Sequence, residues 1–457
     1  MEQKLWDIRE EKVKEVSKDK DEPKWFLEDR LKSLRIYEKL PLEISPLYSK
    51  YIDLSGIDFS SLDPLSLPSE KAIDFPEGHL ATILSVNGEL SHLKIPKELL
   101  DEGLIIEEPW EALKKHENLF KEIYSQRVVK ADEDKFASLC YALMNGGLFI
   151  YVPKDLEVKV PLRLINYIYG RDNFNLKFYY LDEGSKLSLV EENYSLNGNG
   201  IKVFSEVTNI ILRDGSNFSF SSIQNYGNNF VSLVNRRSLI GRDSSMKWTL
   251  GSFGAKFTRS KVDSYLAGVG SQSEDLEVVF GSENQRFDMT SDLTHRGVYS
   301  KGVILARGVL RDKARCIFKG MINIANQAKN SDSYLAEHAM LLNKDCRADA
   351  IPGLEIETNE VRATHSASVA QIDEEEIFYL MTRGMSELEA KKIIVHGFFQ
   401  PALEKISILE VRKKIRELVE RKWGGMVDQA LLEEDIPEVE TKVEIEELFS
   451  RHYKYRK

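Results

Sequence analysis

The chain has 457 residues, of which 42% are hydrophobic and 30% charged, and a formal net charge of −11. It is too apolar and too aromatic for a disordered chain, and long enough for a core with helical ends. The negative balance argues against phosphate backbones, so no nucleic-acid partner is expected.

Met1–Glu10 is charged and lacks an apolar signal segment, and no run approaches the roughly 20 apolar residues that cross a bilayer. A cytoplasmic protein with no membrane partner is expected. Leu27, Leu31 and Leu34 share one helical face after Pro23, a helix-start residue, and Pro41 ends the pattern. Residues 42–75, broken by Ser, Asp and Pro, read as a linker. Helical patterning resumes with Pro96 and Pro109 as candidate starts and runs to about Leu143, giving an N-terminal helical region and linker over 1–144.

Near Asn145-Gly146-Gly147 the period falls from about 3.6 to about 2, and short alternating segments then run to Ile372. Turn signals at Glu183-Gly184-Ser185, Asp214-Gly215-Ser216, Asp243-Ser244-Ser245 and Ser273-Glu274-Asp275 end at spacings of 31, 29 and 30. Asp312-Lys313-Ala314 and Lys344-Asp345-Cys346 follow at 39 and 32. A near-constant period without intervening helix points to a β-solenoid over 145–372. An antiparallel sandwich is the alternative, although it would turn every 8–12 residues.

Helix returns over 373–425. Asp373 and Glu376 are expected to cap one helix that Gly384 ends, and Ser386 and Glu389 to box the next up to Gly397. Ser407 and Glu410 suggest a third box before the stripe Ile408, Val411, Ile415, Leu418. Residues 426–457 form a charged tail.

Three stretches carry a family resemblance. The first is Glu22-Pro23-Lys24-Trp25 with Arg30-Leu31-Lys32 and Pro41. The second is Asn145-Gly146-Gly147-Leu148-Phe149-Ile150-Tyr151-Val152-Pro153-Lys154 with Pro161-Leu162. The third runs from Ile351-Pro352-Gly353-Leu354-Glu355-Ile356 through Val361-Arg362-Ala363-Thr364-His365-Ser366-Ala367 to Phe378-Tyr379-Leu380-Met381-Thr382-Arg383-Gly384 and Gly397-Phe398-Phe399. Together they resemble the SufB/SufD family of SUF iron–sulfur cluster assembly scaffold proteins, over about residues 22–425.

The resemblance implies a mainly β fold, a right-handed parallel β-helix core with α-helical N- and C-terminal domains. It implies an iron–sulfur cluster held transiently and built with partners, with no tightly held cofactor. The implied partners are a SufC-type ATPase at the C-terminal helices, and a SufB/SufD paralogue or a second copy at the β-helix. Cys346, six residues before Pro352, matches a functional Cys of the SufB pattern. SufB follows its His with Glu and SufD follows it with Gly-Ala-Thr, whereas His365 precedes Ser366-Ala367-Ser368. A self-pairing form would account for this mixture.

Pattern alone favours packing for Cys346 and a structural role for His365; the resemblance is what assigns both to iron or the nascent cluster. The three cysteines are too far apart for a disulfide framework or a local metal site. Cys316 and Cys140 read as core and helix packing. Glu337 and His338, adjacent on a strand, face opposite ways and suit no common metal. There is no GxxxxGK[ST], GxSxG or HExxH, so ATP hydrolysis falls to a partner and the chain is not expected to be an enzyme. The contrasting class is a β-solenoid carbohydrate-active enzyme, which would need paired carboxylates in an exposed groove.

Overall fold

The computed structural model describes residues 6–43, 48, 62–65, 81–196 and 200–424. The expected linker over 42–75 falls largely, and the tail 426–457 wholly, outside them. The described chain opens with helices α1 (Glu10–Asp19) and α2 (Lys24–Lys39). Pro23 stands just before α2, where its missing N–H costs nothing. Arg30, buried on α2, pairs with Glu22 and donates to the carbonyls of Ala142 at 3.2 Å and Met144 at 2.8 Å. Glu22 and Arg30 of the first motif therefore fasten the N-terminal helices to the start of the β core.

Next come β1 (Thr82–Val86), β2 (Glu89–Lys94), α3 (Lys97–Asp101), β3 (Ile105–Glu107), α4 (Pro109–Lys115), α5 (Glu117–Ser125) and α6 (Lys135–Leu143). Helices do begin at Pro96 and Pro109, but the three strands interrupt the helical region expected there. β1 pairs parallel with β5 (Leu162–Ile168), and β3 pairs antiparallel with β4 (Gly146–Val152), closing one end of the core. Strands this short carry too few alternations to be read from sequence.

From β4 onward the chain winds between two sheets. One contains β5, β7 (Lys186–Ser195), β9 (Asn217–Asn225), β11 (Ser245–Ser252), β13 (Gln272–Gly281), β15 (Lys301–Leu310), β17 (Ser331–Leu341) and β19 (Val361–Gln371). The other contains β4, β6 (Asn173–Leu181), β8 (Lys202–Leu212), β10 (Phe230–Ile240), β12 (Phe257–Leu266), β14 (Arg286–His295), β16 (Arg315–Ile324) and β18 (Arg347–Ile356). Each of these strands pairs in parallel with the strand two further along the chain, so one coil supplies one strand to each sheet. This is a parallel β-helix, and the sandwich alternative falls, because neighbouring coils are not antiparallel.

The period has a physical cause at the corners. Ser185, Ser216, Ser244, Ser271, Ser300 and Ser331 stack in register and are all buried. The hydroxyls of Ser185, Ser216 and Ser271 donate to the carbonyl three residues earlier, satisfying a turn that water cannot reach. Gly184 and Gly215 precede them at φ +67° and +73°, where a side chain would be strained. Ser273-Glu274-Asp275, expected as a turn, lies inside β13; the turn is at Gly268–Ser271. Ala314 and Cys346 belong to the opposite corner, which explains the 39-residue step.

Between the sheets, Phe220 meets Trp248 edge-on with centroids 5.5 Å apart, and the Trp248 indole donates to Ser264. Burying each such ring contributes about 1.5–3 kcal/mol. A charged cluster lies in the same interior. The Lys177 ammonium touches Glu191 and stands 2.5 Å from Glu206, while Arg236 is 3.0 Å from Glu206 and 3.8 Å from Glu191. Burial opposes ionisation of Glu206, but Lys177 and Arg236 outweigh it and hold the carboxyl well below the usual range.

After β19 come α7 (Glu374–Met381), α8 (Glu387–Leu403) and α9 (Leu409–Arg421). Asp373 caps α7, and Ser386 and Glu389 form the expected box on α8. Gly397 does not end α8 but lies within it, and Ile408 rather than Ser407 begins α9, without a side-chain cap. The stripe Val411, Ile415, Leu418 is buried with Val278 and Phe280, so it fastens α9 to the β-helix. No helix among the described residues is long and apolar enough to cross a membrane.

Candidate functional site at the open end of the β-helix

Among the described residues, the last coil, β18 and β19, has strand neighbours on one side only: β16 for β18 and β17 for β19. Register fixes which side chains point inward. His365 aligns with Leu335 and Ala367 with Glu337, both buried, so His365 and Ala367 stand on the interior face of an uncovered coil. On β18 the equivalent positions are Pro352, Leu354 and Ile356, aligned with Gly320, Ile322 and Ile324. Val361, Ala363 and Val369 complete the β19 half. His365 is thus an exposed imidazole set into an apolar end face, on which Ile356 and Val369 are each 41% exposed.

Cys346 sits elsewhere on the same coil, at the corner between β17 and β18. Its thiol is buried and donates to the carbonyls of Asn343 at 3.1 Å and Leu310 at 3.2 Å. It occupies the corner as the stacked serines occupy the other one. His365 is six residues from Gln371, the β19 residue nearest that corner, or about 20 Å at 3.3 Å per residue. One chain therefore does not bring His365 and Cys346 into a common ligand shell. Among the described residues no group of three or more His, Cys, Asp and Glu could hold a metal ion.

The other candidates resolve by direction. Glu337 points inward and is buried, whereas His338 points outward and bonds Ser368 through Nδ1 at 2.6 Å. Cys316 is buried in the core, where burial and nearby Glu277 raise its thiol pKa well above the ordinary value. Cys140 lies on the buried face of α6 and donates to the Asn175 carbonyl at 3.4 Å.

Glu337 reads from sequence only as a candidate metal ligand, and its burial beneath the end face was not legible there. Burial pushes the Glu337 carboxyl up to about 8, and the Glu277 carboxyl adds to the rise. A raised carboxyl contributes stability below its unfolded pKa of about 4.5, and that stability is lost as pH climbs through about 8. Glu337→Gln should remove part of the loss in melting temperature between pH 7 and pH 9. An unchanged slope would mean that Glu337 is already ionised in the fold.

Fold and end face together define a parallel β-helix protein whose last coil ends in two edge strands. Two family descriptions match the chain: the SUF system FeS cluster assembly SufBD core domain over residues 174–398, and the SufBD protein N-terminal region over 72–164. The chain is 29% identical over 443 residues to an iron–sulfur cluster assembly SufBD family protein of Staphylococcus saprophyticus, covering 92% of this chain and 94% of the relative. Relatives of the same description from Staphylococcus epidermidis and Staphylococcus haemolyticus are 28% identical over the same shares. The chain belongs to the SufB/SufD family of iron–sulfur cluster assembly proteins.

Proposed function

We propose that this chain is a cytoplasmic scaffold subunit that builds and hands on iron–sulfur clusters as cargo. It pairs through its last coil with a SufB/SufD paralogue or a second copy, and a SufC-type ATPase docks on its C-terminal helices. The observation carrying the reading is the end face, largely apolar around His365 and uncovered among the described residues, on a β-helix whose other end is closed by β1–β3. Edge strands left this open ordinarily invite pairing. A mate's last coil would bring a second imidazole and a second corner thiol, so a ligand set not formed among the described residues of one chain could form across two.

Arginines at Ala363 and Ala367 should abolish pairing, because two charges would be buried in an apolar contact. Analytical ultracentrifugation of the complex purified with its SUF partners would read this. A variant that still sediments at the paired mass sinks the reading.

The ATPase surface is proposed on α7 and α8, not on the stripe of α9. Phe378 is 68% exposed, Tyr379 55%, Leu388 51% and Ile393 45%, large apolar side chains left open to solvent by the described residues. Phe378→Ser with Leu388→Ser should weaken ATPase binding by at least about tenfold, as expected for two interface anchors. Calorimetry with the purified ATPase measures it, and unchanged affinity would place the contact elsewhere.

A further inference from the structure

The end of α9 meets a corner of the β-helix across a cleft of about 410 Å³. That is the size of a small-molecule site. Lys422 lies in it, its ammonium donating to Gln285 Oε1 at 2.7 Å and Ser282 Oγ at 3.1 Å, both neutral. The charged groups facing it are Glu283, Asp312, Arg311 and Arg421.

Each of these neighbours already has a partner. Glu283 accepts from Asn228, Asp312 lies 3.2 Å from Arg311, and Arg421 pairs with Glu417. Arg311 also donates to the Lys422 carbonyl at 2.9 Å. Among the described residues, no carboxylate reaches ion-pair distance of the Lys422 nitrogen. A half-buried ammonium without a counter-ion is less well stabilised than one in water, and a bound anion would relieve that cost.

We propose that this cleft is a binding site for a small oxyanion, a sulfate- or phosphate-like group, held by the Lys422 ammonium with the Ser282 hydroxyl beside it. The site is independent of cluster assembly and of the end face. Its protonation supports it: burial brings the Lys422 amine down to about 7, the Arg311 charge adding to the fall while Glu283 and Asp312 oppose it. Below that pH the amine is charged and should bind; above it, affinity should fall toward about tenfold per pH unit.

Sulfate is the probe, because its charge does not change across this range. Calorimetry on the full chain, with chloride at equal ionic strength as reference, should show binding at pH 6.5 that weakens by pH 8.5. Lysine acylation read by mass spectrometry should show sulfate slowing Lys422 several-fold while leaving Lys18 and Lys391 unchanged. Lys422→Gln should abolish binding, and Gln285→Glu, which gives the ammonium an internal counter-ion, should do the same. Glycerol phosphate binding more tightly than sulfate would mark a ligand that carries the anion; equal binding would mark the free ion. Absence of sulfate-specific protection, or binding that survives in Lys422→Gln, overturns the proposal.

Discussion

Lys177→Met is expected to destabilise the β-helix by about 3–5 kcal/mol, the range for removing one partner from a buried ion cluster. Lys177 is almost fully buried, as are Glu191 and Glu206, and its ammonium contacts both carboxylates. Without it, Arg236 alone faces two buried carboxylates. One of them must ionise uncompensated or take up a proton. Adding Glu191→Gln should restore much of the loss, because one cation then faces one anion. Denaturant unfolding followed by far-ultraviolet circular dichroism gives both values. A loss below about 1 kcal/mol, or no recovery in the double variant, would show that water screens the cluster.

His365→Ala should leave folding and partner assembly intact while cluster formation falls by at least about tenfold. The stability change should stay within about 0.5 kcal/mol, since the ring is exposed and makes no hydrogen bond within the described chain. For Cys346 the informative change is to Ser. A hydroxyl can keep both donations to the Asn343 and Leu310 carbonyls, as serines do at the opposite corner, but it supplies no thiolate. If Cys346→Ser folds like the parent and loses cluster formation, the thiolate is a ligand or sulfur acceptor. If clusters form at the parental rate in both variants, the two residues are structural.

The coil repeat was legible because one corner of every coil needs a turn residue and then a buried hydroxyl, so Gly-Ser or Asp-Ser pairs recur at the coil length. That there are two corners was not legible: Ala314 and Cys346 follow a different local chemistry and merely look like late members of one series. The interior charges were hidden for a simpler reason. Glu191-Glu192 reads as surface polarity, and only the register of β7 between β5 and β9 sends Glu191 inward while Glu192 reaches Arg163. His365 was found by resemblance alone; its place on an uncovered interior face depends on which coil is last. The apolar stripe of α9 was visible, yet sequence could not tell a stripe that binds a partner from one that binds its own β-helix.

The C-terminal helices leave the core at its last coil but do not rest there. They fold back so that Phe399 packs with Phe280 of β13, and Arg307 of β15 grips the Phe398 carbonyl at 2.6 Å. Lys422, just past α9, reaches Ser282 and Gln285 between β13 and β14. Mechanically this is a strap that leaves the final coil at Ile372 and is anchored at two points in the coils beneath it. A pull on α8 would be carried into the middle of the β-helix through these anchors and reach β19 through Ile372. Torque applied to the helices would then twist the open coil relative to the rows beneath it, loading a layer held from a single side.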